Sequence, residues 1–415
     1  MKKVWINSIL FCLLFWACRS SDVSQQNLSF LYNKDLQTFQ PDISLDYLSD
    51  STAAVEITIN PNNIYFKKER NTGSYVSRLQ INYKLFQSYN KSKIFDQDTL
   101  DYAITGIPEK TDLFYKSFNI RTLKNSKQYL FIKITDLNTS KSERFINQLD
   151  NHILLQNENK SIANNFQIKY GSKSADLTPL DSTEQLHVQS FNRYRPLSPL
   201  PYEMYISLGF NYAPDSSYTI HKNKNHFHLD LRTEGFYFLS KKEEDENGLV
   251  VNSFSKSFPY VTTVNDLAFP IQLISTSQEF NRLLTHHNRK LAIDNFWIDN
   301  CGSRERAKPV IKKFYHRIEE ANLFFTGIKE GWKTDQGMVY VIYGPPTKVY
   351  KNENSETWIY GEDDNLTSLN FVFRKIINPF TTNLYELNRS SVYKNSWYRM
   401  VDAWREGRIY TENEE

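Results

Sequence analysis

Leu79-Gln80-Ile81-Asn82-Tyr83-Lys84-Leu85 places an apolar side chain at every second position. Successive side chains of an extended chain point to opposite faces, so this period sets one face on a core and the other in water. Val55-Glu56-Ile57-Thr58-Ile59 and Tyr129-Leu130-Phe131-Ile132-Lys133-Ile134 repeat the pattern on either side. Turn formers separate the runs, among them Asn60-Pro61-Asn62 and Gly106-Ile107-Pro108. Short strands so spaced predict a β-sandwich of immunoglobulin-like type over residues 28–150. The polar residues 157–165 read as a linker.

Residues 166–285 read as a second β-rich domain. Strands are expected at Glu203-Met204-Tyr205-Ile206-Ser207-Leu208, Phe227-His228-Leu229-Asp230-Leu231 and Gly235-Phe236-Tyr237-Phe238-Leu239. Residues 241–248 form a charged hairpin loop, and Pro196-Leu197-Ser198-Pro199-Leu200-Pro201 is a stiff connector. His226, His228 and Asp230 share one face of a strand and could approach a cation, but the plainer reading is its solvated face. His286 and His287 read as surface residues at a domain boundary. No metal and no cofactor is expected.

Two lysines, Lys2 and Lys3, precede an apolar run over residues 9–16, and Ala17 then stands before Cys18. That run is too short to span a bilayer, so residues 1–17 read as a secretory signal peptide. Leu14-Phe15-Trp16-Ala17-Cys18 resembles a lipobox, which implies cleavage before Cys18 and lipid on its thiol. Residues 18–27 would then be a tether, and the protein would sit on the outer membrane of a cell envelope. With Cys12 removed and Cys18 acylated, Cys301 is left alone and no internal disulfide can form. The body must be held by its core, which 415 residues with 15% aromatics can supply. A net charge of +3, with Lys and Arg scattered, argues against nucleic acid as a partner.

Residues 291–410 differ in pattern. From Pro309, the residues Val310, Ile311, Phe314, Ile318, Ala321 and Phe325 recur at helical spacing, and Gly327 and Gly331 close the helix. Met338-Val339-Tyr340-Val341-Ile342-Tyr343 reads as a buried strand stopped by Gly344-Pro345-Pro346. Glu356-Thr357-Trp358-Ile359-Tyr360 and Leu369-Asn370-Phe371-Val372-Phe373 read as further strands. A last helix carries Val392, Trp397, Val401 and Trp404, capped by Ser390 or Ser391 and ended by Gly407. The fold class expected is therefore mainly β, with one or two N-terminal sandwiches. A C-terminal α+β domain follows, an antiparallel meander packed with helices.

Gly331-Trp332-Lys333-Thr334-Asp335, Gly337, Val339-Tyr340 and Tyr343-Gly344-Pro345-Pro346 resemble the signature of the GWxTD-domain family of bacterial envelope proteins. Asn295-Phe296-Trp297, Ala321-Asn322, Trp358-Ile359-Tyr360 and Trp404-Arg405 are similar to that family too. Gln336 departs from it, since many members carry Arg there. The resemblance implies the fold and an envelope location, and it brings no reaction with it.

Structurally, Asp335 can accept backbone N–H groups in an Asx-type turn while Trp332 pins that turn to the sheet. Functionally, Trp332, Asp335, Tyr343, Trp358 and Tyr360 could line a groove for a partner protein or a glycan. No residue is assigned a catalytic role. The alternative is a hydrolase of envelope polymers using Asp335 with Glu356, Arg405 being the other reactive group nearby. Cys301 reads as an inert thiol.

Overall fold

The computed structural model describes residues 26–33, 38–49, 51–88, 94–123, 126–150, 155–157, 160–161, 166–167, 174–193, 195–204, 212–231, 233–245, 248–255, 257–361 and 368–408. Cys18 and the segment before it lie outside them, as do residues 205–208 of the strand expected after Glu203. Among the described residues no helix is long and apolar enough to cross a membrane.

The alternating runs form strands. β1 (Asp42–Ser49), β2 (Thr52–Ile59) and, later in the chain, Phe114–Arg121 make one antiparallel sheet. β3 (Lys67–Lys68), β4 (Tyr75–Phe86), β5 (Ile94–Thr105), β7 (Lys127–Asp136) and β8 (Ser142–Asp150) make the other, Phe114–Arg121 being β6. Val55, Ile57 and Ile59 from one sheet meet Leu79, Ile81, Leu85, Ile132 and Ile134 from the other in one core, as in a sandwich.

β9 (Leu155–Asn157) and β10 (Lys160–Ser161) pair with each other, so the expected linker contains a short hairpin, with Leu155 buried. β9 also joins β12 (Ser174–Pro179), which pairs with β15 (Phe227–Asp230). The facing sheet holds β11 (Phe166–Gln167), β13 (Gln185–Phe191), β14 (Ser216–His221), β16 (Gly235–Ser240) and β17 (Leu249–Ser253). β16 is buried on both faces. Tyr237 and Leu239 enter the sandwich core, while Phe236 and Phe238 meet Phe380 of the C-terminal part. A strand covered on both sides loses its alternation, which is why Gly235-Phe236-Tyr237-Phe238-Leu239 reads as a continuous apolar run.

The C-terminal part begins earlier than expected. Helices α1 (Val264–Ala268) and α2 (Ser277–Thr285) fall in the stretch read as the second β-rich domain. Yet Ala268, Ile271, Ile274 and Leu283 pack with the C-terminal core. Both helices open with a capping box, Thr263 with Asp266 and Thr276 with Glu279. His286 and His287 stack between α2 and α3 (Arg289–Cys301) with ring centroids 4.4 Å apart. α4 (Arg304–Phe325) starts at a Ser303 cap, so Pro309 lies inside the helix and not at its head. The missing N–H there costs one helical hydrogen bond.

The largest correction concerns the apolar run after the signature. Residues 338–343 are not a strand; they belong to helix α5 (Asp335–Tyr343), capped by Thr334. Met338, Val339, Tyr340, Val341 and Ile342 are all buried, and a helix enclosed on every side carries no amphipathic period. Arg317 donates to the carbonyls of Val341 and Ile342, and Trp404 Nε1 donates to Ile342 O at 3.0 Å, so the helix end is satisfied inside the core. β18 (Lys348–Lys351), β19 (Ser355–Tyr360), β20 (Leu369–Lys375) and β21 (Tyr385–Leu387) form the antiparallel meander. α6 (Tyr393–Arg405) ends at Gly407 in the left-handed region, with φ of 72°.

The N-terminal residues also sit elsewhere than expected. Leu28 and Tyr32 are buried in the C-terminal core and not in the first sandwich.

Candidate functional site

The signature folds into a tight corner. Gly331–Lys333 makes one 3₁₀ turn, and Thr334 then caps α5. The Thr334 hydroxyl donates to Gly331 O at 2.7 Å and accepts the Gly337 N–H at 3.0 Å. Both glycines are there because backbones touch. A Cβ on Gly331 would stand 1.9 Å from Ala321 O on α4, and one on Gly337 would stand 1.9 Å from Gly331 O. Trp332, only 7% exposed, points into the core, and its backbone N–H donates to Asn322 Oδ1 at 3.3 Å.

Asp335 does not close an Asx turn. It lies at the start of α5, where the helix dipole favours a carboxylate, and is 4% exposed. Its Oδ2 accepts the Leu387 N–H of β21 at 2.7 Å, and Arg389 donates to both oxygens, at 3.2 and 2.5 Å. Charge-assisted forked bonds of this kind are both strong and directional. The helix start is thereby bolted to the last strand of the meander.

The same Arg389 donates onward to Pro199 O at 3.0 Å. Around it, Ser198 N–H donates to Lys333 O at 2.9 Å and Ser390 N–H to Pro201 O at 3.1 Å. Lys329 Nζ donates to Pro196 O at 3.3 Å and to Ser198 Oγ at 3.0 Å. Burial pushes the Lys329 ammonium down to about 8, against the opposing pull of Asp335 and Glu330. Residues 196–201 are thus a strap pinned across the signature. Its prolines hold the chain extended and its carbonyls supply the acceptors.

Glu356 is fully buried. It accepts from Tyr32 Oη at 2.6 Å and from Trp358 Nε1 at 2.8 Å, and pairs with Lys351 Nζ at 3.1 Å. Burial, with the Glu356 charge second, raises the Tyr32 hydroxyl well above its usual range. Arg405 donates to both oxygens of Glu279, at 2.9 and 2.8 Å, and to Ile274 O at 3.0 Å, joining α6 to α2. These bonds hold the Glu279 carboxyl down at about 2. Cys301 is buried, and desolvation raises its thiol, the wrong direction for a nucleophile. His228 Nδ1 lies 2.8 Å from Asp176 on the neighbouring strand, both side chains exposed.

The expected aromatic groove therefore does not form as a unit. Trp332 and Trp358 are core residues, and Asp335 is enclosed by Leu387 and Arg389. Tyr343 and Tyr360 do come together, with ring centroids 5.3 Å apart. They line a cavity of about 430 Å³ with Leu369, Arg399, Met400 and Arg408. Tyr343 Oη donates to Ser396 Oγ at 3.2 Å and Tyr360 Oη to Gly344 O at 2.8 Å. Arg389 and Lys329 escaped sequence reading because each depends on a partner far along the chain. Thr334 carried a usable signal, as a cap residue ten positions ahead of the Gly344 stop.

A comparison with solved structures finds similarity to a transglutaminase of red sea bream, 7% identical, with a TM-score of 0.20. The likeness covers 52% of this chain and 31% of that one, so this chain spans under a third of its length, and a TM-score so low carries no argument. The comparison with curated proteins gives no match. Residues 235–406 match the family model of the GWxTD domain, a span running from β16 through α6. It takes in the strand that meets Phe380, both capped helices, the signature corner and the meander. Residues 235–406 of this chain are therefore similar to the GWxTD domain.

Proposed function

We propose that this chain is a lipid-anchored protein of the cell envelope, carried by Cys18 on the outer membrane, whose C-terminal part is a binding scaffold and not a catalyst. The observation behind this reading is that the signature's reactive groups are spent on internal bonds. Asp335 is paired with Arg389, and Glu356 is closed off by Tyr32, Trp358 and Lys351. A hydrolytic carboxylate pair needs two exposed carboxyl groups flanking a substrate. The two proposed for that role are each buried in a separate network, so nothing favours the hydrolase.

The surface best suited to a partner is the cavity beside Tyr343 and Tyr360. Rigid aromatic walls, an adaptable Met400 and a rim of mixed charge, Arg399 and Asp402 beside the Arg408–Glu406 pair, suit an envelope protein or a glycan. Arg399 is exposed, so changing it should spare the fold. Proximity crosslinking in intact cells, wild type beside Arg399→Glu, tests the assignment. A partner or glycan captured by the wild type and lost in the variant supports the cavity. Equal capture by both would remove it.

A further inference from the structure

The segment nearest the anchoring cysteine is built into the C-terminal part. Asn27 and Leu28 run along the edge of β18. Leu28 N–H donates to Val349 O at 2.8 Å, and Val349 N–H donates to Asn27 Oδ1 at 3.0 Å. Asn27 Nδ2 adds a bond to Thr347 O at 3.3 Å. This covers a sheet edge that would otherwise offer unpaired backbone groups to another chain. Leu28 is fully buried. The Ser29–Leu31 turn then delivers Tyr32 into the core. There its ring lies 5.0 to 5.6 Å from those of Phe324, Phe325 and Trp358. Its hydroxyl donates to Glu356, and its carbonyl accepts from Tyr340 Oη at 3.1 Å. Tyr340 belongs to α5, the helix that carries the signature.

We infer that residues 27–32 are a clip fixing the GWxTD part against the bilayer, with the β18 edge as the membrane-proximal face. The inference rests on the lipid-anchor reading above. Cys18 lies nine residues before Asn27, the first residue bonded to that edge. Even fully extended, that chain spans only about 31 Å. The Thr347–Val349 edge is therefore held within that reach of the lipid headgroups, whereas the first sandwich begins beyond the clip. Chain order alone would put that sandwich next to the membrane, since it comes first in sequence. The bonds of Asn27 and Leu28 instead tie the tether to the C-terminal part first, and the first sandwich touches the same clip through Arg144 on Phe30.

The test uses the full-length lipoprotein reconstituted in phosphatidylethanolamine–phosphatidylglycerol vesicles. Fluorophores are attached at Lys348→Cys, beside the clip, or at Asn223→Cys, in the second β part; Cys301 is buried and leaves the background low. A headgroup-attached nitroxide reads distance. Quenching is expected at position 348 and not at 223. A flexible Gly/Ser insertion after Ser24 touches none of the clip's bonds, and it should abolish the quenching at 348 without altering unfolding. Equal quenching at both positions, or quenching that survives the insertion, would overturn the inference. Two further readings separate its parts. Mass analysis of the N-terminal peptide tests the lipid itself, and an unacylated Cys18 would end the membrane assignment. Hydrogen exchange on a soluble Cys18→Ser chain tests the docking alone. Slow exchange at the Leu28 amide supports the clip whatever the lipid result, and fast exchange would overturn it.

Discussion

At the scale of single residues, the signature is a solution to close packing. Gly331 and Gly337 stand where any side chain would strike a backbone carbonyl, and Thr334 spends its hydroxyl on both of its neighbours. Gly337→Ala should therefore destabilise the protein by about 1–3 kcal/mol, as overpacking does, measurable by urea unfolding. An unchanged midpoint would mean that the corner can relax. The glycines and the cap were visible in the sequence as residue types, but their contacts were not. Nothing local in Asp335 shows that its partner is Arg389, 54 positions on. Long-range pairing is a property of the fold, which is why an Asx turn was the natural expectation for this aspartate.

At the scale of elements, legibility followed periodicity. β2, β4 and β7 alternate because one face of each meets the core, and the structure places all three where the pattern put them. Met338-Val339-Tyr340-Val341-Ile342-Tyr343 failed because its surroundings are apolar on every side, which erases both periods alike. Its length between Thr334 and Gly344 was the better guide. Helix-to-helix contacts carry their own prediction. Arg405 ties α6 to α2 through Glu279, whose carboxyl is held at about 2 against an ordinary 4.5. A carboxyl depressed in the folded state stabilises above its unfolded value and loses that contribution as pH falls. Stability should thus decline between pH 4.5 and about 2 more steeply in the wild type than in Glu279→Gln, by acid titration followed in the near-ultraviolet. Parallel curves would show the pair to be inert.

At the scale of the whole molecule, the C-terminal part holds the rest in place. The N-terminal clip enters its core, the proline strap crosses its signature, and Phe380 packs against the second sheet. These joints were the least legible features, because each brings together segments far apart in the chain. The proline run was readable as stiff and not as docked, and Leu28 as the first residue of the N-terminal sandwich and not as part of the C-terminal core.

Asp335 works as an internal latch on the strap, which hydrogen exchange at the Ser198 amide during urea unfolding measures. Asp335→Ala leaves Arg389 buried without its counter-charge, which should cost about 3–5 kcal/mol. It should also speed exchange at Ser198, whose N–H bonds Lys333 O beside that pair. Replacing both partners, as Asp335→Leu with Arg389→Met, should recover much of the lost stability, since no buried charge remains. Wild-type stability and slow Ser198 exchange in the single variant, with partner capture lost, would contradict the latch and make Asp335 a contact residue instead.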